Sequence, residues 1–251
     1  KTGKFVMWFH LELKGKGYEA ARSGVAVSDT PTGPYRFIRS GRVNAGKLPF
    51  DMDEQAQATM DTLNALHYAK WWTPQWVDAV GKGLILKRDF EGGQMARDMT
   101  VYVDDDGKAY MFWGSSNVFP IRGIELDRNH RFLPKGEKKE LFGLDLANHG
   151  WERFGENHVS DSDLGGFIEG PWMTKHNGKY YLQYGSPGTE FNVYGDGVYV
   201  ADHPMGPYTY QKHNPVSYKP GGFMNGAGHG SSVLGPDSTY WHFASMLCLS
   251  M

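Results

Sequence analysis

Three short stretches of the chain carry side chains whose type and setting suit acid–base chemistry. In Phe167-Ile168-Glu169-Gly170-Pro171-Trp172 a glutamate sits among large apolar residues at the start of a predicted core strand. Apolar neighbours disfavour an ionised carboxyl, which is how a general acid keeps its proton near neutral pH. The same glutamate could equally accept backbone N–H groups at a strand start. In Arg97-Asp98-Met99-Thr100 the carboxylate precedes another predicted strand. It either faces an axis shared with other strands or pairs with its neighbour Arg97, and taken alone the pairing is the stronger reading. In Gly228-His229-Gly230-Ser231 two glycines flank an imidazole. The backbone can then approach something closely while the ring reaches a ligand or ion, although a single histidine is more often a hydrogen-bonded core residue. The other histidines, scattered without spacing, stay unassigned.

Several other chemistries have no motif in the sequence. It contains no Gly-x-x-x-x-Gly-Lys-Ser/Thr phosphate loop, no His-Glu-x-x-His zinc pair and no Gly-x-Ser-x-Gly nucleophile turn. Asp104-Asp105-Asp106-Gly107 suggests either calcium or a tight hairpin turn. Consecutive turn residues point in different directions, which favours the hairpin. A single cysteine, Cys248, excludes an internal disulfide and a cysteine-built zinc site.

The elements that must position these side chains follow from internal repeats. Gly24-Val25-Ala26-Val27-Ser28-Asp29-Thr30-Pro31-Thr32-Gly33-Pro34-Tyr35 recurs as Gly197-Val198-Tyr199-Val200-Ala201-Asp202-His203-Pro204-Met205-Gly206-Pro207-Tyr208. An alternating strand runs into an Asp-x-Pro-x-Gly-Pro turn, and the Tyr starts the next strand. A shorter repeat, Gly-Lys followed by an aromatic-rich strand, begins at Gly3, Gly107 and Gly178, with a degenerate copy from Ser238. Combined, the unit is strand, Gly-Lys turn, strand, loop, strand, Pro-Gly turn, strand. Four antiparallel strands repeated radially make a β-propeller. Blades are expected at about Lys1–Ser40, Thr100–Leu141 and Phe167–Gln211, with a partial one from Ser231. Residues 51–80, where Met52, Ala56, Met60, Leu63 and Leu66 approximate helical spacing, read as an inter-blade insertion ending in Trp71, Trp72 and Trp76.

Composition agrees with an all-β chain and bounds its partners. Glycine makes up 33 of 251 residues, nearly twice the usual share of about 7%, so many tight turns are implied. A net charge of −2 gives no basic footprint for nucleic acid. No apolar run approaches the roughly 18 residues that cross a bilayer as a helix. The sequence opens on a Gly-Lys turn, with neither an initiator Met nor a signal peptide, and it stops on a strand. It is therefore expected to be a single propeller domain trimmed at both ends.

These same motifs resemble glycoside hydrolase family 43. Residues 97–108 are similar to that family's Asp-bearing strand and its Asp-Asp-Gly turn. Residues 168–175, followed by Gly178-Lys179-Tyr180-Tyr181-Leu182, are similar to its general-acid strand. Gly228-His229-Gly230-Ser231 resembles the segment that supplies a pocket histidine. The first half, above all residues 18–35 and 91–108, looks most like the exo-β-1,3-galactanase-type branch.

That resemblance implies a five-bladed propeller and hydrolysis of glycosidic bonds with inversion. It makes Glu169 the acid and Asp98 the residue that orients it. His229 would reach an axial calcium ion directly or through water, and no organic cofactor is implied. Arg97, Trp172 and His229, with Trp71, Trp72 and Trp76 folding over the mouth, would hold the sugar. Inversion also needs a base on the opposite face of the sugar. The family usually carries it as an Asp in the first blade, and none precedes Phe5. Two readings compete. One is an exo-acting glycosidase, secreted or periplasmic, on side chains of galactose, arabinose or xylose, with 1–251 alone turning over poorly. The other is a propeller that binds glycans without cleaving them. A protein-interaction propeller is disfavoured, because its His and Trp-Asp repeat signature is absent.

Overall fold

The repeats fold as antiparallel hairpins. The computed structural model describes residues 3–13, 17–41, 98–117, 119–127, 133–160, 165–219 and 224–248. They fall into two compact units, one of 1–111 with 124–138 and the other of 112–123 with 139–251. The architecture is all-β, with two short 3-10 turns, Gly150–Glu152 and Glu156–His158, as the helical elements among the described residues.

In the first unit β1 (Phe5–Leu13), β2 (Gly17–Ser28) and β3 (Arg36–Gly41) form a three-stranded sheet in that order. A four-stranded sheet follows in the order β4-β5-β7-β8, built from β4 (Thr100–Val103), β5 (Ala109–Trp113), β7 (Ile121–Asp127) and β8 (Leu133–Phe142), its strands divided between the units. In the second unit the order is β12-β11-β10-β9-β6, made of β6 (Ser115–Ser116), β9 (Ile168–His176), β10 (Lys179–Ser186), β11 (Gly195–Ala201) and β12 (Thr209–Tyr210). β13 (Ser217–Tyr218) pairs with β11, and β14 (Met224–Leu234) pairs with β15 (Tyr240–Cys248). Antiparallel four-stranded sheets are the blades of a β-propeller, and the described residues form four antiparallel sheets of two to six strands.

The turns of the two long repeats share their defining hydrogen bonds. Gly33 N–H donates to the Thr30 carbonyl at 3.2 Å, and Gly206 N–H to the His203 carbonyl at 2.9 Å. The Tyr35 hydroxyl donates to the Pro31 carbonyl, and the Tyr208 hydroxyl to the Pro204 carbonyl. Lys4 pairs with Asp29 as Lys179 pairs with Asp202. Even the strand register agrees, since Phe9 faces Gly24 and Tyr184 faces Gly197. In these two blades the Gly-Lys turn thus supplies the cation that pairs with the Asp of the Pro-Gly turn, whereas Lys108 pairs with Asp106 of its own turn.

The Asp-rich segment is the hairpin turn between β4 and β5. Asp104 N–H bonds the Lys108 carbonyl and Gly107 N–H the Asp104 carbonyl, both at 2.9 Å. Gly235 and Ser238 repeat that pair of bonds between β14 and β15, with Ser238 at φ +63° where Gly107 has φ +83°. This is why the fourth copy looks degenerate in sequence.

Two expectations shift. The last sheet begins at Met224, not Ser231, because Gly226, Gly228 and Gly230 hide the strand alternation. Trp8 and Trp113, each in an aromatic-rich strand after a Gly-Lys turn, both read from sequence as core residues; Trp8 is only half-buried, whereas Trp113 is 1% exposed within β5, every residue of which is buried. Full burial of such a side chain contributes about 1.5–3 kcal/mol. Residues 51–80 lie outside the described residues.

Candidate active site

Glu169 is the second residue of β9. Its strand neighbours are Ser115 of β6 on one side and Gly185 of β10 on the other. Small residues directly opposite a long carboxylate leave it room. The register slips between Trp172–Gln183 and Glu169–Gly185, so that Gly170 and Pro171 together oppose one residue of β10. Such a bulge bends the strand and re-aims the side chain beside it. Gly170 has φ +58°, and a Cβ there would lie 2.9 Å from the His229 ring. Only glycine meets both demands, the left-handed backbone and the imidazole lying against it.

Two side chains converge on the Glu169 carboxylate. The Tyr194 hydroxyl donates to Oε1 at 2.6 Å. His229 Nδ1 lies 3.9 Å from the same oxygen, with 38% of the His229 side chain and 15% of the Glu169 side chain open to solvent. Tyr194 is itself buried, its ring 2.8 Å from where a Cβ on Gly228 would stand. His229 sits at φ +52°, a left-handed conformation that costs energy for a residue with a side chain and collects at functional sites.

The other sequence candidates divide as follows. Asp98 belongs to the first unit, half-buried at the head of β4 and also left-handed, φ +51°. Trp172 is half-buried, and its indole N–H donates to the Ser232 carbonyl at 2.9 Å, which ties β9 to β14. Arg97, Trp71, Trp72 and Trp76 lie outside the described residues.

Beneath the His229 segment is a polar ring that the sequence did not announce. Asp196 is fully buried and accepts Gly230 N–H at 3.1 Å and the Gln183 amide at 3.2 Å. His242 Nε2 lies 3.3 Å from the same carboxylate. Burial pushes the Asp196 pKa up, while His242 and Gly230 pull against that shift. Repeat alignment holds a signal for it, since Asp196 stands where the first copy has Ser23. Tyr194 had no signal beyond lying just before the repeat.

A second buried carboxylate sits in the 3-10 turn after β8. Glu152 is fully buried, takes the Tyr184 hydroxyl at 2.6 Å and Asp145 N–H at 3.0 Å, and lies 3.1 Å from His149 Nδ1. Burial pushes its pKa up, and those bonds moderate the shift.

Comparison with known proteins decides the family. Residues 53–247 match Glycosyl hydrolases family 43. The chain belongs to that family. A xylosidase/arabinosidase of Bacteroides ovatus is 28% identical over 84% of this chain and 53% of its own length. A β-xylosidase of Xylanibacter ruminicola is 30% identical over 47% of this chain and 41% of its own. The chain thus spans about half the length of these curated relatives. Among solved structures, a family-43 β-1,3-galactosidase with galactodeoxynojirimycin is 34% identical with a TM-score of 0.55, covering 96% of this chain and 62% of that one. A thermostable family-43 glycoside hydrolase, 20% identical, shares the fold with a TM-score of 0.60 over 95% of this chain and 60% of that one.

Proposed function

We propose that this family-43 chain carries the acid half of an exo-acting, inverting glycosidase, with Glu169 protonating the leaving oxygen. The observation that carries the reading is the Tyr194–Glu169 bond beside a solvent-open His229. Because Tyr194 donates to Oε1, a protonated Glu169 holds its proton on the other oxygen. A hydrogen bond thereby presets which atom faces the glycosidic oxygen. In the reaction, water forms a new bond to the anomeric carbon as the bond to the leaving oxygen breaks. Glu169 gives its proton to that oxygen, and a carboxylate on the far face, not among the residues assigned above, takes one from the water.

Asp98 is proposed to orient Glu169 and to keep it protonated by like-charge coupling. Arg97, Trp172 and His229 are proposed to hold sugar hydroxyls, and Trp71, Trp72 and Trp76 its apolar face. The relatives' names, a xylosidase/arabinosidase and a β-1,3-galactosidase, frame the sugar as xylose, arabinose or galactose, and side chains of these sugars are the proposed substrate. Calcium takes six to eight oxygens at about 2.3–2.6 Å. In the second unit the donors beside one another are the His229 imidazole and the Glu169 carboxylate, one oxygen of which already accepts Tyr194. These supply far fewer oxygens than calcium takes, so His229 is proposed to reach a largely hydrated ion through water. No step depends on it.

The test is a screen of the full-length protein on aryl xylosides, arabinosides and galactosides and on arabinogalactan, with the product anomer read by NMR. Turnover with inverted configuration is expected. Binding without turnover would favour the glycan-binding propeller, and retained configuration would remove the inverting mechanism.

A further inference from the structure

Four side chains from four strands close a hydrogen-bonded ring under the His229 segment. Gln183 of β10 donates its amide to Asp196 Oδ2 of β11 at 3.2 Å and accepts the Ser232 hydroxyl of β14 at 3.0 Å. Ser232 Oγ lies 3.2 Å from His242 Nδ1 of β15, and His242 Nε2 lies 3.3 Å from Asp196 Oδ2. With the Gln183 amide nitrogen on Asp196 and its oxygen on Ser232, the other hydrogen directions follow. Ser232 uses its one hydrogen on Gln183, so His242 Nδ1 must donate to Ser232 Oγ. The remaining ring nitrogen faces Asp196, which is fully buried while His242 keeps 34% of its side chain in solvent, so the histidine caps a carboxylate that would be costly to leave without partners.

The other oxygen of Asp196 does a different job. Oδ1 accepts the N–H of Gly230, the residue after His229. A Cβ on Gly230 would stand 2.2 Å from Asp196 Oδ2 and 2.6 Å from the His242 ring, so the backbone there is pressed onto the pair. On the other side of His229, Ala227 N–H bonds the Tyr194 carbonyl at 2.6 Å. A left-handed His229 persists only where its surroundings over-determine it. These two bonds grip the segment from both ends.

We infer that Asp196 is a positioning residue. Braced by Gln183, Ser232 and His242, it fixes the backbone of His229 so that the imidazole lies on Gly170 and confines Glu169. The inference rests on Glu169 being the acid, and it predicts a specific kinetic signature. Misplacing an acid harms substrates with poor leaving groups, whereas 4-nitrophenol leaves with little help. In the full-length protein Asp196→Asn is expected to lower kcat on an alkyl glycoside about tenfold, to change the 4-nitrophenyl glycoside far less, and to leave KM nearly unchanged. Ser232→Ala and His242→Gln, which cut the ring away from Gly230, should show a smaller loss of the same selectivity. Equal loss on both substrates in all three variants, or no loss, would overturn it.

Amide exchange of Gly230 reads the anchor without any substrate. Strong protection in the parent and faster exchange in Ser232→Ala are expected. An unprotected parent amide, or an unchanged one in every variant, would overturn the inference by itself. If the parent turned over no glycoside while Gly230 exchange behaved as expected, the glycosidase reading would fall and the anchor would stand.

Discussion

Glu169 and Glu152 have nearly the same partners and opposite settings. Each accepts a tyrosine hydroxyl at 2.6 Å, from Tyr194 and Tyr184 respectively, and each has a histidine nearby, at 3.9 and 3.1 Å. Glu152 keeps none of its side chain in solvent, and a backbone N–H covers its second oxygen. Glu169 keeps 15% open, beside an imidazole 38% open. Around Glu152 the packing is aromatic, with Trp151 against Tyr184 and His149 stacked on Tyr210 at 3.7 Å. Around Glu169 its partners lie against glycines, His229 on Gly170 and Gly185, and Tyr194 on Gly185 and Gly228. The lesson is that a Tyr–Glu–His group marks no site by its residue types. Aromatic packing closes one into a clamp between loop and blade, and glycines leave the other where a substrate can reach it.

The comparison can be sharpened with matched substitutions. The largest effects should come from the tyrosines. Tyr194→Phe removes the hydrogen bond that fixes which oxygen of Glu169 carries the proton and should lower kcat about tenfold or more, seen in turnover of the screened substrate. Tyr184→Phe removes one of the three partners of the buried Glu152 and should cost about 1–3 kcal/mol of stability with turnover unchanged, seen in denaturant unfolding. Swapped outcomes would mean that the two groups have been assigned the wrong way round.

A smaller effect concerns pH. Burial raises the Glu152 pKa, so the folded state holds that proton more tightly than the unfolded one. Its contribution favours folding at low pH and fades as pH rises through the folded value. Glu152→Gln should therefore flatten the fall of the melting temperature from the usual carboxylate range upward, even though an amide facing Asp145 N–H lowers the curve as a whole. An equally steep fall in the variant would show that Glu152 is ionised in both states. The smallest effect is expected from a calcium chelator, since a hydrated ion adds little to the grip on Glu169. Loss of turnover restored by calcium would show that the ion is held directly.

Much of this was legible in the sequence because hairpin turns are local. Asp-x-Pro-x-Gly-Pro and Gly-Lys specify their own geometry, so the blades could be read from the two copies, and the family resemblance from residues 97–108, 168–182 and 228–231, without any long-range contact. Glu169 and His229 stood out for the same reason, each beside residues that reshape the backbone. Tyr194 and Asp196 did not, because their meaning depends on strands that meet only after folding. A buried Asp between two glycines looks like a turn until Gln183, Ser232 and His242 arrive from three other strands. The start of β14 was hidden likewise, since glycines leave no alternation to read.

The most direct measurement is turnover of one alkyl glycoside and one 4-nitrophenyl glycoside by Glu169→Gln and Glu152→Gln in the full-length protein. Glu169→Gln is expected to lose about 10²–10⁴-fold on the alkyl substrate, the worth of a positioned general acid, and much less on the 4-nitrophenyl one. Glu152→Gln should treat the two substrates alike. Unchanged turnover in Glu169→Gln, or a leaving-group-selective loss in Glu152→Gln, would contradict the assignment of Glu169 as the acid.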